Sequence, residues 1–248
     1  MQENRYDDTD FFDRYKQMAR SVGGLQAAGE WHELRKMLPD LQGKRVLDLG
    51  CGFGWHCRYA DEQGAQSVIG IDISGKMLQE ARARTTSSRI KYMQMPIEAI
   101  DFPAASFDVV ISSLVFHYLD SFADVYEKIN RCLVSKGDFV FSVEHPIFTA
   151  QGSQQWYYDE KGVPLHWPVD HYFAEKERKA IFLGLEVTKY HRTLTTYVNT
   201  LIQCGFEITR LVEPKPAFDL MNEPGMKDEL RRPMMLLIAA RKGSIIDE

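Results

Sequence analysis

The sequence predicts an α/β fold in which a mostly parallel sheet carries helices on both faces. Short apolar runs alternate with amphipathic helical segments across residues 45–143, and the connections between them are short. This alternation is typical of parallel strands joined by helical crossovers. Near the end of the chain, two strands follow each other without a helix between them. They predict a closing hairpin in which one strand runs antiparallel to the rest of the sheet.

The elements follow from the apolar pattern in chain order. The part before residue 39 is predicted to be helical, with a break at Gly23 and Gly24. A later helix is predicted to open at Ser121, where Asp124 completes a capping box, and to end at Gly137. The predicted strands are 46–49, 67–71, 90–93, 109–113, 139–143, 206–212 and 234–240, and the other predicted helices are 55–63, 74–84 and 193–204.

These elements divide the chain into three parts. Residues 1–38 are predicted to form an N-terminal helical cap, and residues 39–145 with 190–241 form the sheet domain. Residues 146–189 are rich in aromatic side chains and interrupt the strand–helix rhythm, so they are predicted to be an insertion that forms a substrate lid. Its aromatic side chains either face a substrate or form the lid's own core. The cap's aromatic residues are expected to close the site from the other side: Tyr6, Phe11, Phe12 and Tyr15.

The most informative motif is the run VLDLGCGFG at residues 46–54, where an apolar strand leads into glycines. Glycine adopts a positive φ without a steric penalty and lets a ligand approach the backbone closely. The helix that begins near Trp55 offers unpaired N–H groups and the positive end of its dipole. The motif predicts a nucleotide-like cofactor lying over the turn. A tight turn that binds nothing is the alternative.

Asp72 is the second element of the predicted cofactor site. It ends the second strand, about 20 residues past the glycine turn, where an acid can accept hydrogen bonds from ribose hydroxyls. The alternative is that Asp72 caps the following helix, but Ser74 is better placed for that role. The sequence therefore favours the ribose role.

Together these features resemble the class I S-adenosylmethionine-dependent methyltransferases. The likeness rests on DLGCG at 48–52, Asp72, IEAIDFP at 97–103 and SFDVV at 106–110. It implies a Rossmann-like sheet of seven strands that binds S-adenosylmethionine and releases S-adenosylhomocysteine. The whole chain also resembles a bacterial group of small-molecule methyltransferases, through GEW at 29–31, SVEHPIF at 142–148 and KYHRT at 189–193.

The resemblance assigns the methionine end of the cofactor to residues near the glycine turn. It places the backbone of Gly50 and Gly52 against the cofactor, with Cys51 between them as a small apolar residue. Asp48 orients the turn or reaches the cofactor's amino group through water. The carbonyl of Ser113, at the end of the fourth strand, accepts from the ammonium group.

The resemblance assigns the adenosine end to a second set of residues. Asp72 holds the ribose, Ile73 flanks the adenine, and the backbone N–H of Ile97 reads the adenine edge. Many relatives carry an acid where this chain has Pro96. Proline cannot replace that acid, so Glu98 is the substitute expected to bond the adenine amino group.

Two histidines are candidates for a general base, which methyl transfer needs only if the acceptor loses a proton. His117 follows the fourth strand and His145 the fifth, at the edge where open α/β sheets bind ligands. The alternative for His117 is a structural place in the wall of the cofactor site. His145 is either a base oriented by Glu144 or a hydrogen-bonded hinge. His191 and Arg192 either hold an anionic substrate group or cap a helix.

Composition narrows the range of possible binding partners. The net charge is −5 with both signs interspersed, which disfavours nucleic acid. The four cysteines have no C-x-x-C spacing, so no metal site is indicated. No apolar run reaches the ~20 residues of a membrane span, and the polar N-terminal segment is no signal peptide. We expect a cytoplasmic protein with a small-molecule substrate; a homodimer is compatible with the sequence.

Two other functions remain open at this level. An NAD(P)-dependent oxidoreductase also uses a glycine turn and a ribose acid, but Trp55 occupies the position of the third glycine in G-x-G-x-x-G. A non-catalytic cofactor-binding protein on the same fold is the third interpretation. The sequence leaves the acceptor atom open among oxygen, nitrogen and carbon.

Overall fold

A computed structural model describes residues 4–222 and 225–243. The first three residues of the predicted cap and residues 223–224 of the predicted sheet domain lie outside this description. The N-terminal part contains three helices, as the sequence predicts: α1 Thr9–Lys16, α2 Ala19–Gly23 and α3 Trp31–Met37. Single 3-10 turns at Arg5–Asp7 and Gly24–Ala27 accompany them.

The sheet domain then follows the predicted alternation. Its first elements are β1 Arg45–Leu49, α4 Trp55–Glu62, β2 Ser67–Asp72, α5 Gly75–Ala83, β3 Ile90–Gln94, β4 Phe107–Ser113, α6 Ala123–Cys132 and β5 Leu133–Glu144. The remaining elements are α7 Pro146–Ala150, β6 Tyr157–Tyr158, β7 Pro164–His166, β8 Glu177–Phe182, β9 Leu185–Tyr190, α8 Leu194–Gln203, β10 Phe206–Val212, α9 Met226–Glu229 and β11 Met235–Lys242.

Seven strands form the central sheet, in the order β10-β11-β5-β4-β1-β2-β3. Only β11 runs against the others in this sheet, because it pairs antiparallel with both β5 and β10. This confirms the predicted mostly parallel seven-stranded sheet with its closing antiparallel hairpin. The strand order reverses beside β1, and such a reversal opens a crevice at the carboxyl ends of the strands.

Alternation along the strands builds a core on each face of the sheet. Leu47 and Leu49 pack with α6 and α8 on one face, while Val46 packs with α4 on the other. Helix α3 covers the second face near β5 and β11, where Trp31 belongs to the same core cluster as Val140 and Leu237. Helices on both faces are what the sequence predicts for this sheet.

The prediction for the helix after β4 was wrong at both ends. Helix α6 begins at Ala123, and its N-cap Phe122 makes no side-chain capping bond, so neither Ser121 nor Asp124 caps it. The helix ends at Cys132, and Gly137 lies inside β5. The chain passes directly from helix to strand because the backbone from Leu133 onward finds ladder partners in β4. Ladder pairing therefore outweighs the tendency of glycine to end a helix there.

The insertion consists of α7 and two antiparallel hairpins, β6–β7 and β8–β9. Part of its aromatic content forms its own core: the rings of Phe148 and Trp167 stack with centroids 5.0 Å apart, and the Arg232 guanidinium lies 4.1 Å from the Trp167 ring. Phe173, by contrast, is 90% exposed. The insertion is anchored at the carboxyl end of β5, beside the crevice.

Candidate functional site

The turn after β1 brings bare backbone to the carboxyl edge of the sheet. Gly50 has φ +72° and Gly52 has φ +52°, and the N–H groups of Gly50 and Cys51 both donate to the Ile71 carbonyl at 2.8 Å. A Cβ on Gly50 would lie 2.3 Å from Val115, so this glycine allows close packing. A Cβ on Gly52 would meet no atom within 4 Å, so Gly52 faces open space.

Asp72 is bound directly to this turn. Its Oδ2 accepts from the Gly52 N–H at 2.9 Å, and its Oδ1 accepts from the Ser74 N–H at 2.8 Å. Burial raises the pKa of Asp72 to about 6. Because a carboxylate has about four acceptor positions, these two bonds leave capacity for hydroxyl donors. Ser74 caps α5 through its hydroxyl, as the sequence predicts.

The N-terminal cap covers the same edge. Asp7 accepts from the Ser74 hydroxyl at 2.5 Å and from the Lys76 N–H at 3.1 Å, directly beside Asp72. Tyr6 packs edge-on against Tyr15, with ring centroids 5.2 Å apart. The cap is therefore held at the adenosine side of the predicted site by hydrogen bonds.

Gly24 brings the other end of the cap against the glycine turn. Its φ is +65°, and a Cβ there would lie 2.7 Å from the Trp55 ring. A side chain at this position would thus push the cap away from the first residue of α4. This close approach is the structural reason for the glycine pair that interrupts the N-terminal helices.

A cavity lies between the cap and the glycine turn. It encloses about 470 Å³, including the part that opens to solvent. Of the predicted cofactor residues, Gly50, Cys51, Gly52 and Ser113 line it. The other lining residues are Tyr15, Arg20, Ser21, Gly24, Leu25, Ala28, Phe53, Trp55 and His56.

The remaining predicted cofactor residues lie around this cavity. Asp48 is buried beneath the turn, where it accepts from the Cys57 thiol at 3.2 Å, and burial raises its pKa to about 7. Ile73 is half-buried and follows Asp72 directly. Ile97 is buried in the core at the start of a 3-10 turn, and the carbonyl of Glu98 accepts from Lys128 at 2.5 Å. The structure thus joins Gly52 to Asp72 directly and places Ile97 and Glu98 beyond the end of β3.

Sequence reasoning missed two charged residues of the cap: Arg20, which lines the cavity, and Glu30, which is bonded to two of its lining residues. Glu30 accepts from the Arg20 guanidinium at 3.0 Å and from the Ser113 hydroxyl at 3.1 Å. Burial alone would raise the pKa of Glu30, but Arg20 and these hydrogen bonds hold it below its usual value. The available signal in the sequence was the acidic residue Glu30 directly before the aromatic Trp31.

His145 and His117 are both held by backbone N–H groups. His145 Nδ1 accepts from the Ile147 N–H at 3.0 Å, and its Nε2 lies 2.9 Å from the Glu213 carboxylate. His117 Nδ1 accepts from the Glu144 N–H at 3.3 Å. Burial lowers the pKa of both rings, to about 4 for His117. Their catalytic roles stay predictions, and both rings are neutral at pH 7.

The predicted partner of His145 was wrong. The Glu144 side chain accepts from Lys189 at 2.5 Å and from Gln154 at 2.7 Å, so the carboxylate next to His145 belongs to Glu213. His145 follows the last residue of β5 with an extended backbone, and successive side chains of an extended chain point in opposite directions, which separates Glu144 from His145.

In the structure His191 holds the insertion, and Arg192 holds the segment after β4. His191 is hydrogen-bonded to the Thr149 hydroxyl and to the Tyr172 carbonyl, both at 2.8 Å. Arg192 donates to the carbonyls of Leu119 and Asp120. These bonds replace the predicted contact with an anionic substrate, and the adjoining Thr193 caps α8.

Known proteins share this architecture. A family model described as a methyltransferase domain matches residues 47–141. A proposed S-adenosylmethionine-dependent methyltransferase from Listeria monocytogenes is 57% identical in sequence. Its crystal structure matches this one with a TM-score of 0.85, over 89% of this chain and 100% of that one. An S-adenosylmethionine-dependent methyltransferase from Mesorhizobium loti is 43% identical, with a TM-score of 0.82 over 88% of this chain and 100% of that one. The chain belongs to the S-adenosylmethionine-dependent methyltransferases.

Other relatives of this methyltransferase differ in coverage. A Haemophilus influenzae protein is 35% identical over 244 residues, which is 96% of each chain. A malonyl-[acyl-carrier protein] O-methyltransferase from Enterobacter lignolyticus is 38% identical over 44% of this chain and 42% of its own. A tRNA U34 carboxymethyltransferase from Alcanivorax borkumensis is 32% identical over 45% of this chain and 35% of its own.

The residues at the glycine turn of this methyltransferase fit S-adenosylmethionine. Gly52 leaves space where a Cβ would project, and Asp72 has acceptor capacity next to it. When bound, the cofactor supplies an electrophilic methyl group on a positively charged sulfur. Its leaving group is neutral, so the protein's task is alignment and exclusion of water.

Metal and membrane sites are not found in residues 4–222 and 225–243. No group of three or more His, Cys, Asp or Glu side chains among them could hold a metal ion. Within the same residues, no helix is both long and apolar enough to cross a membrane.

Proposed function

We propose that this methyltransferase transfers the methyl group to a small-molecule acceptor. The observation that carries the proposal is the covering of the crevice from both sides. Phe11 of the cap packs against Phe182 of the insertion, with ring centroids 5.8 Å apart. Tyr6 of the cap packs against Tyr118 after β4, with ring centroids 6.4 Å apart. A small acceptor can enter such an aromatic-walled site, whereas a folded macromolecule must present an extended segment to it.

The charge pattern supports the same class of acceptor. The two basic pairs at residues 231–232 and 241–242 are the places where a phosphate backbone could be bound. Arg231 and Arg232 pair with Asp228 and Glu229, at 2.9 and 2.8 Å respectively. Arg241 pairs with Asp138 at 2.9 Å. These neighbouring acids neutralise most of the positive charge on which nucleic-acid binding depends.

We propose the following roles for the site residues. Asp72 accepts from the ribose hydroxyls, and Gly50 and Gly52 bring the backbone to the cofactor. His117 forms part of the wall and His145 the hinge of the insertion, since the backbone N–H bonds to both rings support structural roles. The acceleration of methyl transfer then comes from alignment of the acceptor with the methyl group rather than from a protein base.

We also propose a cytoplasmic location. The four cysteines are free thiols, and three of them are buried. Unpaired cysteines are usual in proteins of a reducing compartment.

The first test is a calorimetric titration with S-adenosylmethionine, S-adenosylhomocysteine and NADH. Asp72→Ala is expected to weaken binding of the first two by roughly 1–3 kcal/mol, about tenfold or more, through loss of ribose hydrogen bonds. Because Asp72 also holds the Gly52 N–H, the control is 2′,3′-dideoxy-5′-methylthioadenosine, which lacks both ribose hydroxyls and which the variant should bind almost as well as the wild type does. Unchanged affinity for S-adenosylhomocysteine would remove the ribose role.

The second test addresses the acceptor. The protein is incubated with S-[methyl-³H]-adenosylmethionine and, in separate reactions, a metabolite extract below 3 kDa, total RNA and total protein. Label entering only the metabolite fraction supports the proposal. Label entering RNA or protein would overturn it and direct attention to acceptors of the kind named for the partial relatives.

A further inference from the structure

The cap contributes a buried acid whose hydrogen bonding is incomplete. Glu30 is 1% exposed, and its Oε1 accepts from both Arg20 and Ser113. Its Oε2 is buried and has no hydrogen-bond partner among the described residues. A buried carboxylate oxygen without a donor is energetically costly. Glu30 does not itself line the cavity, but Arg20 and Ser113 both do, so a cationic donor that enters between them would remove this cost.

Arg20 supplies the opposite charge and, unlike Glu30, lines the cavity itself. Its guanidinium lines the cavity and donates one N–H to Glu30 at 3.0 Å. A guanidinium carries five N–H donors in a planar fork that matches a carboxylate. The remaining donors can therefore serve a ligand carboxylate beside Glu30.

The two charges lie at the end of the site away from the ribose acid. Ser113 donates to Glu30 and lines the cavity together with Gly50 and Gly52. Asp72, by contrast, accepts a hydrogen bond from the N–H of Gly52. A ligand that places its ribose at Asp72 and crosses the glycine turn thus directs its far end toward Glu30. His56, which also lines this end, is neutral at pH 7 because burial lowers its pKa to about 4.

We infer that Arg20 and Glu30 form the subsite for the amino-acid end of the cofactor, with Arg20 binding the carboxylate and Glu30 Oε2 binding the ammonium group. The inference rests on the ribose role proposed for Asp72. An adjacent guanidinium and carboxylate complement a zwitterion, which presents the opposite pair of charges. The resemblance predicts that the Ser113 carbonyl accepts from the same ammonium group. A residue of the sheet domain and a residue of the cap would then bind it together.

This subsite belongs to the cap rather than to the sheet domain. Glu30 directly precedes α3, and Arg20 lies in α2, on either side of Gly24. A cofactor bound there connects the cap to the glycine turn through both of its ends, since Asp7 already holds the cap beside Asp72. Ligands without the amino-acid end lose this connection.

The test compares three ligands by calorimetry on the full chain. S-adenosylhomocysteine carries the zwitterion, decarboxylated S-adenosylhomocysteine carries only the ammonium group, and 5′-methylthioadenosine carries neither. We expect Glu30→Gln to weaken S-adenosylhomocysteine and its decarboxylated form about tenfold or more. Arg20→Gln should weaken only S-adenosylhomocysteine, by a similar factor. Neither variant should change the affinity for 5′-methylthioadenosine by more than about twofold.

Matched controls lie on the helices of the cap. Glu33→Gln in α3 removes an acid that pairs with Lys36 on the surface, and Arg14→Gln in α1 removes a cation bonded to the Leu183 carbonyl. Both should leave all three affinities unchanged. If Glu30→Gln does not fold, Glu30→Asp keeps the charge for Arg20 but withdraws it from the cavity, and the same ligand pattern is expected.

Two outcomes overturn the inference while leaving the cofactor assignment intact. Equal losses for S-adenosylhomocysteine and 5′-methylthioadenosine would make Glu30 and Arg20 structural residues of the cap. Unchanged affinity for S-adenosylhomocysteine in both variants would exclude them from the site. A wild-type protein that binds neither ligand would overturn the cofactor assignment itself, and the inference with it.

Discussion

The glycine turn after β1 and the insertion after β5 border the same crevice but are held by different forces. The turn is fixed by backbone: Gly50 and Cys51 both donate to the Ile71 carbonyl, and three glycines at 50, 52 and 54 have positive φ. The insertion is fixed by buried charged side chains. Lys189 donates to Glu144, and Arg178 donates to the carbonyls of Ala150 and Ala174.

This difference separates two tasks in the molecule. Backbone contacts in a short segment hold one shape whatever neighbouring side chains do, which suits a cofactor that all members of the family share. Side-chain contacts between distant residues can be exchanged one at a time. The insertion is therefore the part in which we expect acceptor specificity to reside, and the two regions should respond differently to substitution.

The largest effect should come from breaking the buried pair of the insertion. Lys189→Met leaves Glu144 buried without its cation, 2.5 Å from where Nζ stood, and should lower the free energy of unfolding by roughly 3–5 kcal/mol. Urea unfolding measures the loss. Lys189→Met with Glu144→Gln should recover much of it, because no buried charge then lacks a partner. A double variant as unstable as the single one would contradict this account.

Removing the buried acid beneath the turn should have the next largest effect, and with a defined pH dependence. Because burial raises the pKa of Asp48 from 3.8 to about 7, the unfolded chain loses this proton at lower pH than the folded protein does. The stability contributed by protonated Asp48 is therefore present below pH ~4 and is lost as pH rises to about 7.

Asp48→Asn removes this loss. Its stability relative to the wild type should grow between pH 4 and 7, by roughly 3–4 kcal/mol or several degrees in Tm, and then stay constant. Scanning calorimetry across this pH range measures the difference. The titration of His56 and His117 cancels because both proteins contain them, whereas Asp72 contributes to the difference because its charge also raises the pKa of Asp48. A Tm difference that does not vary with pH would show that Asp48 titrates normally.

A smaller effect should distinguish cofactor contact from backbone strain at the turn. Gly52 and Gly43 both have positive φ and open space where a Cβ would lie, but only Gly52 lines the cavity. Alanine at either position should cost about 1 kcal/mol of stability through strain. Only Gly52→Ala should also weaken S-adenosylhomocysteine, about tenfold. Equal binding by both variants would mean that the cofactor does not cross Gly52.

The smallest effect should come from the hinge of the insertion. His145→Ala removes the acceptor for the Ile147 N–H and should cost about 0.5–2 kcal/mol, as loss of other N-caps does. His145→Asn should restore most of the Tm, because an amide oxygen can accept the same bond. If instead turnover falls with Tm and cofactor affinity unchanged, His145 acts as the general base.

Local signals predicted the sheet domain well. The period of the apolar residues located the strands and helices of the sheet domain to within two residues, except where α6 meets β5, and Ser74 was found as the cap of α5. Gly50, Gly52 and Asp72 were found because a tight turn and a strand-end acid have fixed spacing along the chain. The exception is α6, where pairing of β5 with β4 overrode the helix signals at Ser121 and Gly137.

The sequence by itself determined the α/β class, the hairpin that closes the sheet and the glycine turn of the cofactor site, because each depends on residues close together in the chain. Only the tertiary structure decided which charges face the cavity and which pair elsewhere. Glu30 meets Ser113 across 83 residues, and Lys189 meets Glu144 across 45. Such partners are chosen by the packing of separate elements against one another, and no local periodicity records that choice.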